Sequence, residues 1–349
     1  MKQIKINNKI IGMNKKPYII AEAGINHNGN IKIAKELIKQ AKNIGADAVK
    51  FQSFTVECMM TKTAASAEHL DAGAGKEDVY SFVKRISLSE NEHRELFIYA
   101  KELEIEFIST PFSFKTVDWL EKLGVSCYKI ASMDLNNLPL IKYVAERQKP
   151  IILSTGMGTI AEVDQALRTI YKTGNQDVIL LHCVSLYPPS DDNINLKVLN
   201  TLENTFDCLV GFSDHTEDNL ISLAAVARGA KVIEKHFTLD KKMPGPDQKS
   251  SGDPETFKRL IDNIKRIYSA LGSGIKKPVE AELKMQKNFR RSIVAKKDIE
   301  KNEVITKEKV TFKRPGSGIP PTELEWVLGT KAKNNIKSDT LISKEDLVG

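Results

Sequence analysis

The chain has 349 residues, of which 41% are hydrophobic and 28% charged, as expected for a globular protein with one large domain or a large and a small one. No apolar run approaches the about 18 residues of a membrane-spanning helix. The net charge of +7 comes from lysines and arginines dispersed among nearly as many acids, so nucleic-acid binding is not expected, whereas a local cationic pocket for an anionic small substrate is.

Cysteine usage and the N-terminus predict a cytoplasmic protein. The four cysteines show no CxxC or other metal-ligand spacing, and Cys127, Cys183 and Cys208 lie in apolar strand-like runs. Buried free thiols of this kind are typical of a reducing compartment. The first residues, MKQIKINNKIIG, contain no long apolar core and no small-residue cleavage site, so we expect neither a secretion signal nor membrane binding.

Short β-like runs alternate with helical stretches from residue 18 to about residue 270. Helical periodicity is clear in NIKIAKELIKQAKNIG and in IAEVDQALRTIYKTG, where apolar residues recur at spacings of three and four. Eight runs are predicted as strands, at residues 18–23, 47–53, 106–112, 127–132, 150–156, 178–184, 208–214 and 231–237. The alternation predicts an α/β fold with parallel strands, and eight units suit a (β/α)8 TIM barrel of about 250 residues. A doubly wound open sheet is the alternative, since repeats alone do not establish closure.

The composition and hydrophobic pattern of the sequence change near residue 272. The Gly-, Pro- and charge-rich stretch 273–285 is predicted as a linker after a barrel of residues 1–272. Residues 286–349 contain short β-like pieces and turns without a helical stripe, so they are predicted as a small β-rich domain. That domain is too small to be expected to act as an enzyme alone.

Every predicted barrel strand ends in polar residues. In a TIM barrel the chemistry lies at the C-terminal ends of the strands, so these residues are candidates for one site. They are Glu22, Lys50, Gln52, Ser109, Thr110, Lys129, Ser132, Ser154, Thr155, His182, Ser185, Tyr187, Asp214, His215, Glu234 and His236. Clustering at every strand exit is the strong signal, whereas each single residue is weak evidence.

Each of these residues also has an ordinary structural interpretation. A strand lysine such as Lys50 can extend to solvent at the end of a barrel. His182 is predicted to be a hydrogen-bonded core histidine, and Lys235 is predicted to face away from the site. His69 and His93 lie in polar stretches and are predicted to face solvent.

His215 and His236 end neighbouring strands and are predicted to converge on one divalent metal. Two imidazoles with oxygen ligands suit Mn²⁺, and also Zn²⁺, Co²⁺ or Fe²⁺. Two firm protein ligands leave positions open for substrate or water, as a Lewis-acid catalyst requires. Lysines and hydroxyls on other strands would form a phosphate cradle: Lys50, Thr110, Lys129, Ser132 and Ser154. A metal beside a phosphate cradle suggests carbon–carbon bond formation with a phosphorylated enol.

Ten motifs resemble the sialic acid synthase family, in order and spacing over nearly the whole chain. They are IAEAGINHNG, AVKFQ, STPF, YKIAS, ILSTGM, LLHCVSLYP, GFSDHT, IEKHFTLD, PGPD and KRPGSG. The resemblance implies a (β/α)8 barrel followed by an antifreeze-like (SAF) domain. It also implies a homodimer in which the small domain of one chain covers the barrel mouth of the other. The implied reaction condenses phosphoenolpyruvate with an N-acylated amino sugar and releases phosphate, with Mn²⁺ as the first expectation for the metal and Mg²⁺ or Co²⁺ as alternatives.

The resemblance implies a role for each matched residue. The metal would lie on His215 and His236. The phosphoenolpyruvate-binding set would be Lys50, Thr110, Lys129, Ser132, Ser154 and Ser185, the last standing where some members have Asn. The sugar-binding set would be Gln52, Tyr187 and Asp247, with Arg314 reaching the N-acyl group from the partner chain. The catalytic carboxyls would be Glu22, Asp134 and Glu234, with Glu22 also contacting the sugar. Asp134 departs from the Glu of many members, in which this acid is implied to position or activate water.

The acceptor sugar is the open question. N-acetylmannosamine, giving N-acetylneuraminate (sialic acid), is the first expectation. The alternative is a 2,4-diacetamido-6-deoxy hexose, giving N,N'-diacetyllegionaminate or another nonulosonate by the same mechanism. Two rival functions differ in chemistry: a Schiff-base aldolase that uses Lys129 or Lys50 with pyruvate, and a non-catalytic carbohydrate- or ice-binding protein.

Overall fold

The structure is a computed structural model that describes residues 2–63 and 77–348, and the chain divides into two compact units, Met1–Gly272 and Ser273–Gly349. No helix in these described residues is both long and apolar enough to cross a membrane. Cys127, Cys183 and Cys208 are buried free thiols, as predicted, and Cys58 is exposed.

The first unit contains ten strands and eleven helices in its described part. The strands are β1 Gln3–Ile6, β2 Lys9–Gly12, β3 Tyr18–Gly24, β4 Ala48–Ser53, β5 Glu106–Pro111, β6 Tyr128–Ile130, β7 Ile151–Ser154, β8 Val178–Cys183, β9 Leu209–Asp214 and β10 Val232–His236. The helices are α1 Ile31–Ile44, α2 Val56–Met59, α3 Val79–Ile86, α4 Glu90–Glu102, α5 Phe114–Leu123, α6 Leu138–Ala145, α7 Ile160–Tyr171, α8 Asp191–Ile194, α9 Val198–Phe206, α10 Leu220–Ala227 and α11 Pro254–Leu271.

Strands β3 to β10 form one parallel sheet in the order β5-β4-β3-β10-β9-β8-β7-β6. Its end strands, β5 and β6, lie against each other, so the sheet is a nearly closed barrel. Each predicted strand coincides with one of these eight to within two residues. The predicted TIM-like barrel is therefore confirmed, and the open doubly wound sheet is excluded.

Strand alternation decides which side chains enter the barrel. Ile20, Ala48, Ile152 and Val232 lie in the inner apolar cluster, and successive inward positions further along the strands carry the polar residues. The hairpin β1–β2, which the sequence did not reveal, packs Ile4, Ile6 and Ile11 into the same inner cluster. The barrel floor is therefore apolar, and polar groups gather at the C-terminal ends of the strands.

Helix α1 shows how the outer layer is specified locally. Its N-cap Asn30 accepts hydrogen bonds from the backbone N–H groups of Lys32 and Ile33, which is worth about 1 kcal/mol relative to alanine. The helix ends at Gly45, which adopts a left-handed conformation with φ of 85°. Between them, positions spaced by three and four are buried against the barrel: Ala34, Leu37, Ile38, Ala41 and Ile44.

The second unit is small and β-rich. It contains helices α12 Glu280–Phe289 and α13 Leu324–Val327, and strands β11 Ser292–Ala295, β12 Val310–Lys313, β13 Lys331–Ala332 and β14 Leu347–Val348. Its own apolar core includes Ile293, Ile305 and Ile342. The stretch predicted as a linker, 273–285, includes the beginning of α12. The reason is that EAELKMQKNF, which follows Pro278, consists mostly of good helix formers.

Candidate active site

A cavity of about 390 Å³ opens at the C-terminal ends of the barrel strands. It contains every residue of the first unit to which the resemblance assigns a role, except Asp134. The residues brought together are Glu22, Lys50, Gln52, Thr110, Lys129, Ser132, Ser154, Ser185, Tyr187, His215, Glu234, His236 and Asp247. Residues far apart in sequence meet here because parallel strands place their C-terminal ends at the same end of a barrel.

Two lysines and two glutamates form a buried charge cluster inside this cavity. Lys50 Nζ lies 2.8 Å from Glu22 Oε2 and 3.7 Å from Glu234 Oε2. Lys129 Nζ lies 3.8 Å from Glu234 Oε1. Register explains the first contact, since Glu22 is opposite Lys50 on neighbouring strands. Ser213, which sequence reasoning overlooked, donates from Oγ to Glu234 Oε1 over 2.9 Å.

Burial and pairing set the charges of this cluster. Burial would raise the pKa of Glu234, but Lys129 and Lys50 together hold it below its ordinary value, so Glu234 is ionised. Burial raises the pKa of Glu22, and the nearby Lys50 offsets this only in part. Burial opposes the charge on Lys50, yet the two carboxylates raise its pKa overall. Burial lowers the pKa of Lys129, which Glu234 counteracts only partly.

Hydroxyl groups surround the two ammonium groups. Lys129 Nζ donates to Ser154 Oγ over 2.7 Å, and Lys50 Nζ donates to Thr110 Oγ1 over 3.2 Å. The backbone N–H of Gly156 donates to Ser132 Oγ over 3.0 Å. A side chain at position 156 would meet Ser132 Oγ at 2.7 Å, so glycine here leaves room for this hydroxyl beside the backbone. Ammonium, hydroxyl and backbone groups together suit a phosphate or carboxylate.

The two predicted metal ligands lie side by side. The ring centroids of His215 and His236 are 5.4 Å apart, and the Tyr187 ring stacks on His215 at 4.1 Å. His215 Nδ1 contacts the carbonyl oxygen of Val184 at 2.8 Å. His236 Nδ1 lies 3.6 Å from Asp247 Oδ2. The ends of β9 and β10 therefore bring these two imidazoles together.

The histidine pair has the chemistry that a divalent metal requires. The carbonyl oxygen of Val184 accepts a hydrogen bond from the Nδ1–H of His215. The other ring nitrogen, Nε2, therefore carries no proton, and its lone pair is available to a metal. Burial lowers the pKa of His215 to about 4, so its imidazole is neutral near pH 7. In residues 2–63 and 77–348 no group of three or more His, Cys, Asp or Glu is arranged as a metal site. The possible metal ligands are thus the imidazoles of His215 and His236, of which that of His215 is neutral.

Asp247 lies beside this pair in a carboxyl-rich environment. Burial, reinforced by the nearby Glu22, raises the pKa of Asp247 to about 7. At neutral pH the Asp247 carboxyl is therefore present in both protonation states, and it can donate or accept a hydrogen bond.

Of the predicted site residues in the first unit, Asp134 and the strand-end candidates Ser109, Thr155, His182 and Asp214 do not line the cavity. Asp134 lies in a short 3₁₀ helix, Ser132–Asp134, where Oδ1 accepts a hydrogen bond from Asn137 Nδ2 over 3.0 Å and the carboxylate does not line the cavity. Arg314 belongs to the second unit, where its guanidinium lies over the Phe289 ring at 5.0 Å. Its contact with a substrate in a partner chain stays a prediction.

One histidine prediction was wrong, and another lies outside the described residues. His93 is only 1% exposed, because Ser89 O and Gln52 O contact its two ring nitrogens at 3.0 and 3.2 Å. The polar residues around it in the sequence gave no sign of this contact. His69 belongs to residues 64–76, which the structure does not describe. His182 contacts the Ile194 carbonyl, as expected for a core histidine.

An apolar side of the cavity was not predicted from the sequence. It consists of Ile25, Phe54, Met59, Val83, Ile86 and Phe112, hereafter the apolar wall. Ile25, Phe54 and Phe112 follow strands β3, β4 and β5, whereas the other three come from the insertion after β4. Apolar residues in a loop insertion look like ordinary packing, so no sequence signal separated them from the core.

Comparison with known proteins gives the family. The profile described as the NeuB family matches residues 37–276, and that of the SAF domain matches residues 290–348. The N,N'-diacetyllegionaminic acid synthase of Campylobacter jejuni is 46% identical over 94% of this chain and 99% of its own. The enzyme of the same name from Legionella pneumophila is 42% identical over 95% of this chain and 94% of its own.

A solved structure agrees with this result. The N-acetylneuraminic acid synthetase of Leptospira borgpetersenii superposes with a TM-score of 0.73 at 32% identity, covering 81% of this chain and 94% of that one. The resemblance carried by the ten motifs is confirmed. The chain is therefore an enzyme of the NeuB family of nonulosonic acid synthases, with a SAF domain in its C-terminal part.

Proposed function

We propose that this enzyme condenses phosphoenolpyruvate with the open-chain form of a 2,4-diacetamido-6-deoxy hexose, and so makes N,N'-diacetyllegionaminate or a close relative. One observation carries the reaction class. The ammonium groups of Lys50 and Lys129, with their hydroxyl partners, share a cavity with the paired imidazoles of His215 and His236. An anion cradle beside a potential Lewis-acid site suits an enol phosphate and an aldehyde.

The choice of acceptor rests on two observations. The two legionaminic acid synthases are 46% and 42% identical to this chain, against 32% for the sialic acid synthetase of known structure. Lys50 and Lys129 are also the only lysine or arginine side chains among the described residues that line the cavity. One anion cradle is enough for phosphoenolpyruvate and leaves none for a phosphorylated sugar. The second observation argues against a phosphorylated acceptor only. The higher identity to the legionaminic acid synthases is our reason to favour the 2,4-diacetamido-6-deoxy hexose over N-acetylmannosamine.

Phosphoenolpyruvate would bind through the charge cluster. Its phosphate and carboxylate would take up the ammonium groups of Lys50 and Lys129, which in the free enzyme face Glu22 and Glu234. Ser154, Thr110 and Ser132 would add hydrogen bonds to the phosphate oxygens. Ser185, whose Oγ lies close to the same Gly156 backbone, would complete the cradle. We propose that phosphoenolpyruvate bound in this way has C3 of the enol on the side of the histidine pair.

The chain's carboxyl groups would support the bond-making steps. A divalent metal on His215 and His236, Mn²⁺ in our proposal, would polarise the aldehyde oxygen of the acceptor. As C3 of phosphoenolpyruvate bonds to the aldehyde carbon, positive charge develops at C2, and the ionised Glu234 would stabilise it. Water then adds to C2 and loses a proton, and the C2–O bond breaks to release phosphate. Glu22, the cluster carboxyl with the raised pKa, is our candidate for the proton transfers.

The sugar would be held by polar groups around this centre. Gln52 Nε2 donates to Glu22 Oε1 over 3.4 Å, and both side chains would contact polar groups of the sugar. Tyr187 and Asp247 border the histidine pair on its other sides. We further propose that the enzyme is a homodimer and that Arg314 of the partner subunit reaches the N-acyl group.

The test is phosphate release from phosphoenolpyruvate by Mn²⁺-loaded protein, with the 2,4-diacetamido-6-deoxy sugar and with N-acetylmannosamine, each with and without EDTA. We expect EDTA-sensitive release with both sugars or with the first alone, and a higher kcat/KM with the first. A higher kcat/KM with N-acetylmannosamine would overturn the acceptor assignment. Release that survives EDTA, or a Lys129 adduct with pyruvate trapped by borohydride, would overturn the metal-based reaction and favour the Schiff-base aldolase.

A further inference from the structure

The apolar wall contrasts with the rest of the cavity. None of its six side chains carries a hydrogen-bonding group, whereas most of the other cavity residues do. Phe54, Val83 and Ile86 are each at most 3% exposed, so they have little freedom to swing away. The wall is therefore a fixed apolar surface inside an otherwise polar site.

Packing behind the wall keeps it in place. Ile25, Phe54, Val83 and Ile86 belong to one apolar cluster, which is separate from the main core of the barrel, and Phe112 packs against it. The Phe54 and Phe112 rings meet edge to face, with centroids 6.0 Å apart and an interplanar angle of 82°. Because these side chains pack against one another, the wall is a preformed apolar surface for any ligand in the cavity.

The order of strands around the barrel places the wall relative to the chemistry. Lys129 and Ser154 lie on β6 and β7, and the two histidines lie at the ends of β9 and β10. The wall stands over β3, β4 and β5, which come next after β10 in the barrel. Strand β5 closes the barrel against β6, and β4 and β5 also carry Lys50 and Thr110. An acceptor with its aldehyde at the histidine pair and its chain running over Glu22 and Gln52 ends at the wall.

Resting on the proposed function, we propose that the apolar wall is the specificity surface for the far end of the acceptor, where it receives the methyl group at C6 of a 6-deoxy sugar. A hydroxyl at C6 would have to give up water there without gaining a partner from the wall. Apolar pockets discriminate against one added hydroxyl by about 10- to 100-fold. Recognition of C6 is thus assigned to Phe54, Phe112, Val83 and their neighbours, and not to the polar residues that hold the sugar hydroxyls.

The test compares two acceptors that differ only at C6: the 2,4-diacetamido-6-deoxy hexose and its 6-hydroxy counterpart. Phosphate release from phosphoenolpyruvate gives kcat/KM for each. We expect the 6-deoxy sugar to be preferred by about 10- to 100-fold. Equal values would overturn the role of the wall while leaving the proposed reaction intact. No release with either sugar would overturn the proposed function, and this inference with it.

Two substitutions add a hydroxyl to the wall with little change in shape, Phe112→Tyr and Val83→Thr. In whichever of them folds, judged by its thermal melt, we expect the preference to fall at least about fivefold while the KM for phosphoenolpyruvate stays the same. Phe114→Tyr is the matched control, because Phe114 is half exposed and lies outside the cavity, so its preference should equal that of wild type. An unchanged preference in both folded wall variants would place C6 recognition elsewhere and overturn the inference.

Discussion

Lys235 Nζ donates to Asp214 Oδ2 over 3.0 Å, and both side chains are completely buried. Each of the two residues directly precedes a histidine of the candidate metal site, and strand alternation turns both away from the cavity. Lys235 also donates to the carbonyl of Thr216 over 2.6 Å, and the hydroxyl of Ser222 donates to Asp214. This ion pair therefore joins the ends of β9 and β10 behind His215 and His236.

Lys235→Met should destabilise the barrel strongly. The substitution leaves the Asp214 carboxylate buried without its cation, and removing one partner of a buried pair costs about 3–5 kcal/mol. Denaturant unfolding followed by circular dichroism measures the change. Lys258→Met is the matched control, because Lys258 pairs with Asp262 on the surface and should cost less than about 1 kcal/mol. Equal losses in the two variants would contradict the structural role of the buried pair.

Lys129→Met should weaken phosphoenolpyruvate binding while the protein stays folded. Losing one hydrogen bond to a charged oxygen corresponds to a rise in KM of about 10- to 100-fold. Steady-state kinetics at saturating acceptor give this value, and Lys142→Met, on the exposed side of α6, serves as the control. A wild-type KM for phosphoenolpyruvate in the Lys129 variant would remove this residue from the cradle.

Replacing a carboxyl group that lines the cavity should lower kcat far more than replacing one that does not. Glu234→Gln removes the ionised carboxylate beside Lys50 and Lys129, so kcat should fall about 100-fold or more. Asp134→Asn keeps the shape of a side chain that does not line the cavity, so kcat should stay within about threefold of wild type. A large loss in the Asp134 variant would restore the catalytic role implied by the resemblance and would require that loop to move.

Acid should destabilise the protein partly through His27. Burial lowers the pKa of His27 to about 3 in the folded chain, against an ordinary value near 6.5. Between these values the unfolded chain holds a proton that the folded chain lacks, so stability is lost as pH falls through this range. From pH 7 to pH 5 the His27 contribution is about 2 kcal/mol.

The variant His27→Asn isolates this contribution. An asparagine oxygen can replace Nδ1 as the acceptor for the Gly29 N–H, which lies 3.0 Å away. We expect the drop in unfolding free energy between pH 7 and pH 5 to be about 2 kcal/mol smaller in the variant than in wild type. Identical drops would show that His27 is not held neutral.

The alternation of side chains along the strands is enough to locate most of the site from the sequence alone. The eight strands are visible as short apolar runs between stretches of helical periodicity. Because successive side chains of a strand point to opposite faces, Glu234 and His236 are predicted to face inward and Lys235 outward. The same alternation along β9 would have predicted an inward-facing Ser213, two residues after Gly211. Strand-end polarity is thus a strong guide in a parallel barrel.

Features fixed by contacts remote in sequence could not be predicted in this way. His93 looked solvent-facing because its partner Gln52 O is contributed by a strand 41 residues earlier. The role of Asp134 was implied by the resemblance alone, and the local 3₁₀ turn with the bond from Asn137 keeps its carboxylate out of the cavity lining. The apolar wall depends on how the insertion after β4 packs over β3 to β5, and hydrophobic periodicity in the sequence does not predict that packing.

The most direct measurement follows an ¹⁸O label in the bridging C–O–P oxygen of phosphoenolpyruvate during turnover with the 2,4-diacetamido-6-deoxy hexose. Our account has water adding to C2 and the C2–O bond breaking. The label should then appear in the released phosphate, and release should require the sugar. Label retained in the nine-carbon acid, or phosphate released without any sugar, would contradict the account.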